Sequence, residues 1–144
     1  MTADQYPSRT IDSVTIGQAV PDLDIPITRT MIVATALASR DYEDVHHDPV
    51  RARDKGSADI FMNILTSNGL VERYVRGWSG PAARLTALKI RLGAPNYPGD
   101  TMRLSARVSA IDSGIGRVVL EVTGSNSLGT HLAGTAELQL SPVP

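Results

Sequence analysis

The sequence predicts an α+β fold in which one antiparallel sheet wraps around a single long helix, and three observations carry that expectation. Behind Pro81, apolar and polar residues alternate with period two through four segments, the pattern of strands with one buried face. Ahead of it, one run over 60–75 carries Phe61, Met62, Leu65 and Leu70 in addition to the helical stripe Ile60, Ile64, Val71, Tyr74 and Val75, so its apolar surface is wider than a surface helix requires. Short turns between the alternating segments favour antiparallel neighbours. At 144 residues the chain is most simply one domain, able to bury roughly two-thirds of its unfolded surface.

Taken in order, residues 1–14 show no consistent period and are expected to form a mobile N-terminal arm, with the folded domain over 15–144. Residues 16–27 contain Pro21 and Pro26, which cannot donate to a ladder, so a strand here is short or lies at a sheet edge. In the run 31–38, Ile32, Thr35 and Ala36 share a helical face with Ser39, and Thr28 or Thr30 offers an N-cap. Residues 51–55 are charged and Gly56 interrupts them; Ser57, Ala58 and Asp59 then lead into the long helix over 60–75, which Gly77 and the Gly80-Pro81 pair end. Strands follow over 86–92, 101–110, 117–123 and 132–140, as an antiparallel meander. A very apolar helix and a sheet with one apolar face bury each other if the sheet curls round the helix, which is the hot-dog arrangement.

The stretch most suited to chemistry is Arg40-Asp41-Tyr42-Glu43-Asp44-Val45-His46-His47-Asp48-Pro49, a polar segment between two apolar ones. Asp41 and His46 stand five positions apart, which on a regular helix would turn them about 140° from each other. On a loop or at a helix end, the same carboxylate and imidazole can converge on one water molecule.

Composition narrows the rest. A net charge of −1 argues against nucleic acid or an acidic membrane surface as partner. The absence of cysteine removes disulfides, thiolate metal sites and a cysteine nucleophile. The apolar stretch 31–38 is far short of the ~20 residues a membrane helix needs, and the first ten residues hold no apolar signal core, so a soluble, cytoplasmic protein is expected. A metal centre from Asp44, His46, His47 and Asp48 is not expected, since adjacent histidines on an extended chain point apart.

Two motifs give a family resemblance. Asp41, Val45, His46 and Ala52 match in type and spacing the signature of the MaoC-like enoyl-CoA hydratases and dehydratases, Asp-x-Asn-Pro-aliphatic-His and then a small residue six positions on, with Glu43 and Asp44 in place of Asn and Pro. Residues 95–101, Pro95-Asn96-Tyr97-Pro98-Gly99-Asp100-Thr101, resemble the family's Pro-x-Tyr-Pro-Gly-Asp-Thr turn. More narrowly, the stretches 40–48, 59–66 and 69–71 resemble the small MaoC-like subunit of steroid side-chain enoyl-CoA hydratases, a subgroup in which it pairs with a second MaoC-like chain.

The resemblance implies a hot-dog domain that hydrates a trans-2-enoyl-CoA to a (3R)-hydroxyacyl-CoA without a cofactor, coenzyme A being part of the substrate. Asp41 and His46 would hold and activate the water. The family polarises the thioester with a backbone N–H at the start of the central helix, from a Gly after a His; alignment puts Met62 and Asn63 there, so Asn63 would supply the oxyanion contact. Arg51, Arg53 and Lys55 are candidates for the coenzyme A phosphates, against the commoner fate of a solvated charged face, and Tyr97 with Asp100 for the pantetheine channel. The working unit is expected to be a homodimer, or a heteromer with a second MaoC-like chain. Two other classes stand beside this reading: a non-catalytic hot-dog scaffold subunit, and an acyl-CoA thioesterase.

Overall fold

The computed structural model describes residues 8–141. Eight elements follow one another: β1 (Ala19–Pro26), α1 (Arg29–Ala38), α2 (Pro49–Asp54), α3 (Ile64–Ser79), β2 (Arg84–Leu92), β3 (Thr101–Asp112), β4 (Arg117–Asn126) and β5 (Gly129–Gln139), with single 3-10 turns at Ile11–Ser13 and Asp44–His46. The strands form one antiparallel sheet in the order β1-β3-β4-β5-β2, and α3 packs on its concave face. This is the hot-dog arrangement expected of the alternating strands and the apolar helix.

The alternation decides which face is buried. Met102, Leu104, Ala106 and Val108 of β3, Val118, Leu120 and Val122 of β4, and Leu132, Ala136 and Leu138 of β5 point inward, onto Leu70, Val71, Tyr74 and Val75 of α3. At ~25 cal/mol per Å² of apolar surface removed from water, this interleaved layer is the main source of stability. Strand neighbours, by contrast, depart from the expected meander. Only β3, β4 and β5 run as one; β2 pairs with β5 at the far edge, because β1 already occupies the side of β3.

Three boundaries are corrected. The long helix begins at Ile64, not at residue 60, because the Asn63 side chain accepts the Thr66 N–H and caps it there; it runs through Gly77 and ends at Gly80, whose φ is 87°. A short helix, α2, forms where only a charged run was read: Asp48 caps it by accepting from Val50 and Arg51, and Pro49 stands at its first position. The expected arm over 1–14 has residues 1–7 outside the described range, but its remainder is packed. Ile11 and Val14 are buried, Arg9 donates to the carbonyls of Trp78 and Ser79, and Thr10 bridges Ser141.

Candidate active site

The site is built at the C-terminus of α1. Helix α1 starts with Thr28 accepting the Met31 N–H and ends in a left-handed turn: the Arg40 N–H donates to Leu37 O, the Asp41 N–H donates to Ala36 O, and Arg40 takes φ 57°. A residue with a Cβ is unfavourable there by about 1–2 kcal/mol. The turn throws Asp41 off the helix axis, and its carboxylate is then held by a second local bond, Oδ1 accepting from the Glu43 N–H at 3.3 Å.

His46 arrives from the following 3-10 turn. Its ring is buried edge-on against Phe61, and its Nδ1 lies 2.7 Å from the Phe61 carbonyl oxygen. A carbonyl only accepts, so Nδ1 carries the proton, and in the neutral ring Nε2 presents a lone pair. That nitrogen lies 3.4 Å from Asp41 Oδ2. Two acceptors thus face one another, and a single water donating one hydrogen to each satisfies both.

The third member is Asn63, 2% exposed. Its Oδ1 accepts from the backbone N–H and hydroxyl of Thr66, while its Nδ2 donates to Asp41 Oδ2 and to Ser39 Oγ, each at 3.0 Å. This amide is the leading reason that the Asp41 carboxyl titrates below its ordinary value of 3.8; desolvation opposes it, and the Glu43 N–H and, when protonated, the His46 ring add to the lowering. The residues 60–63 that deliver Asn63 are clamped on both sides, the Phe61 N–H donating to Val45 O and the Met62 N–H to Asn96 O. The two motifs read in the sequence therefore meet across this short extended segment.

The other sequence candidates sit apart from this cluster. Arg51 and Arg53 are exposed on α2, and Lys55 at its end pairs with Glu43 at 3.3 Å. The Tyr97 hydroxyl lies 3.1 Å from Ser57 Oγ and accepts from the Ala58 N–H, so it fastens the 57–59 loop. Asp100 accepts from the backbone and hydroxyl of Ser127, tying the β2–β3 connection to the β4–β5 hairpin. Beside the cluster, an open groove of about 330 Å³ runs between α1 and α3, lined by Thr35, Ala38, Leu65 and Leu70 and ending at Ser39 and Thr66.

The profile described as "MaoC like domain" matches residues 12–129. The chain belongs to the MaoC-like family. Its relatives within that family include the 3-oxo-4,17-pregnadiene-20-carboxyl-CoA hydratase beta subunit of Mycobacterium tuberculosis, 46% identical over 125 residues that cover 87% of this chain and 95% of the relative. Among solved MaoC-like structures, a chain of the ChsH1-ChsH2 complex from M. tuberculosis superposes with a TM-score of 0.84 at 45% identity, covering 88% of this chain and 98% of that one. The R-hydratase PhaJ1 of Pseudomonas aeruginosa reaches the same TM-score at 19% identity, covering 93% and 86% respectively, a likeness of fold.

Sequence reasoning placed Asn63 inside a helix and did not find the bonds of its side chain to Asp41 and Thr66. The signal was present in Asn63-Ile64-Leu65-Thr66, an N-cap residue three positions before a donor. Ser67 and His131 were missed too. His131, 1% exposed, has its Nδ1 2.7 Å from Ala94 O and its Nε2 2.9 Å from Ser67 Oγ, pinning the first turn of α3 to the sheet.

Proposed function

We propose that this chain is a soluble, cytoplasmic enoyl-CoA hydratase that adds water to a trans-2-enoyl-CoA to give the (3R)-hydroxyacyl-CoA. The observation that carries the reading is the facing pair of acceptors, Asp41 Oδ2 and His46 Nε2, 3.4 Å apart with the other imidazole nitrogen committed to Phe61 O. A water held beside the pair, in reach of both, gives one proton to the His46 lone pair as its oxygen bonds to the β carbon. The α carbon then takes that proton from the same face, so the C=C π bond is exchanged for one C–O and one C–H bond with no net proton change. The Asp41 carboxylate orients the water and stabilises the imidazolium that forms in between.

Charge passing to the thioester oxygen needs a donor. The Asn63 N–H, at the start of the sixteen-residue α3, has no acceptor among the described residues and suits that role. No cofactor enters this scheme. The exposed Arg51, Arg53 and Lys55 and the partly buried Tyr97 are the side chains we assign, on the family's pattern, to the coenzyme A portion.

For the acyl group and the assembly the relatives are the support. A beta subunit named for a steroid CoA-ester hydratase, and a neighbour solved as a two-component complex, support a steroid side-chain substrate and a second MaoC-like chain as partner. The open groove between α1 and α3, flanked by Ile64 and Leu65 at 45% and 49% exposure, supports it as well, since these apolar residues lie uncovered beside the site.

The test follows loss of enoyl absorbance from a short-chain and a steroid-side-chain trans-2-enoyl-CoA. The chain is assayed alone and coexpressed with a second MaoC-like chain, as wild type and as His46→Ala. Hydration that falls by about 100-fold or more in the variant is expected. No hydration of either substrate, alone or in complex, would overturn the proposal, and thioester cleavage measured in the same samples would redirect it to hydrolysis.

A further inference from the structure

We infer that the Asn63 side chain is a positioning residue that orients the Asp41 carboxylate toward His46, a role separate from that of its backbone N–H. The inference rests on the hydratase reading only for its kinetic consequence.

The orientation of the amide is forced by its neighbours. Thr66 N–H is a backbone donor and must meet an acceptor, so Oδ1 faces α3 and the NH2 group faces α1. All of its capacity is then used: Oδ1 takes two bonds from Thr66, and the two Nδ2 hydrogens go to Asp41 Oδ2 and Ser39 Oγ. Ser39 is itself fixed, its hydroxyl lying 2.8 Å from Thr35 O and 3.0 Å from Ala36 O at the end of α1. A residue that is buried and bonded on every side has one rotamer available, so the hydrogen it offers Asp41 is fixed before substrate arrives.

The groups in contact with the carboxylate are few. From α3 there is the Asn63 amide, and from the 41–46 turn the Glu43 N–H and the His46 ring; among the described residues His46 is the ionisable side chain that meets it. Because the amide donates to Oδ2, the oxygen that faces His46, it sets both the direction of that oxygen and its preference for the charged form.

Two variants separate positioning from capping. Asn63→Ser and Asn63→Thr both keep a side-chain oxygen to cap the Thr66 N–H and both lose the amide donor. In the isotope-labelled full chain, followed by carboxyl carbon NMR, Asp41 is expected to titrate below 3.8 in wild type and higher in both variants, with thermal midpoints little changed. In the complex that hydrates enoyl-CoA, the acid limb of kcat/KM should move up with it and kcat should fall by about tenfold. An Asp41 titration that both variants leave in place, with activity tracking thermal stability alone, would reduce Asn63 to a helix cap and overturn the inference. If wild type hydrates nothing, the hydratase reading fails, and the Asp41 titration still decides the role of Asn63.

Discussion

At Asp41, desolvation raises the carboxyl pKa. The Asn63 amide lowers it and outweighs the desolvation. Neighbours twenty-two positions apart are not readable from local pattern, which is why this pairing was invisible while Asp41 and His46, five apart, were not. Arg40 carries a second consequence at the same scale. Its φ of 57° is forced by the turn that aims Asp41, so the strain belongs to the site. Arg40→Gly should leave the fold intact and raise stability by up to about 1 kcal/mol, read as a higher denaturant midpoint at unchanged slope, whereas Arg40→Val should lower it by about 1–2 kcal/mol. Equal midpoints for all three proteins would show that this backbone is not strained.

Among the elements, α3 is the one whose position matters most, since its first residues carry the site. It is held at that end by the Asn63 cap and by the Ser67–His131 bond. Burial lowers the His131 pKa below its ordinary 6.5, so the folded protein holds this ring neutral. The unfolded chain therefore binds more protons than the native one just below pH 6.5, and stability is full above that value and lost as pH falls toward the lower native pKa. Unfolding midpoints of wild type should fall between about pH 7 and about pH 5, and those of His131→Gln should fall less from a lower starting point. Parallel pH dependence would place the acid sensitivity elsewhere. The helix and strands were legible in the sequence because period reports burial, and burial made them. Their ends were less so. Asn63 started α3 four residues later than expected by capping it, and the packed Ile11 and Val14 were taken for arm because two apolar residues set no period.

Over the whole molecule, strand alternation foretold one sheet and its buried face but not its order. Period two says which side of a strand is covered and nothing of which strand lies beside it, so the place of β2 next to β5 had to come from the structure. The same sheet leaves α3 with one face buried in the core and another open, where Ile64 and Leu65 stand exposed beside the Asp41 and His46 cluster. A second MaoC-like chain seated there would complete the pocket from its far side while this chain supplies the reacting groups. The direct test is to coexpress the two chains, introduce Asp41→Asn in this one alone, and follow hydration of a steroid-side-chain trans-2-enoyl-CoA. The account predicts an intact complex whose turnover drops by about 100-fold or more. Unchanged turnover would make this chain a scaffold and put the chemistry in its partner.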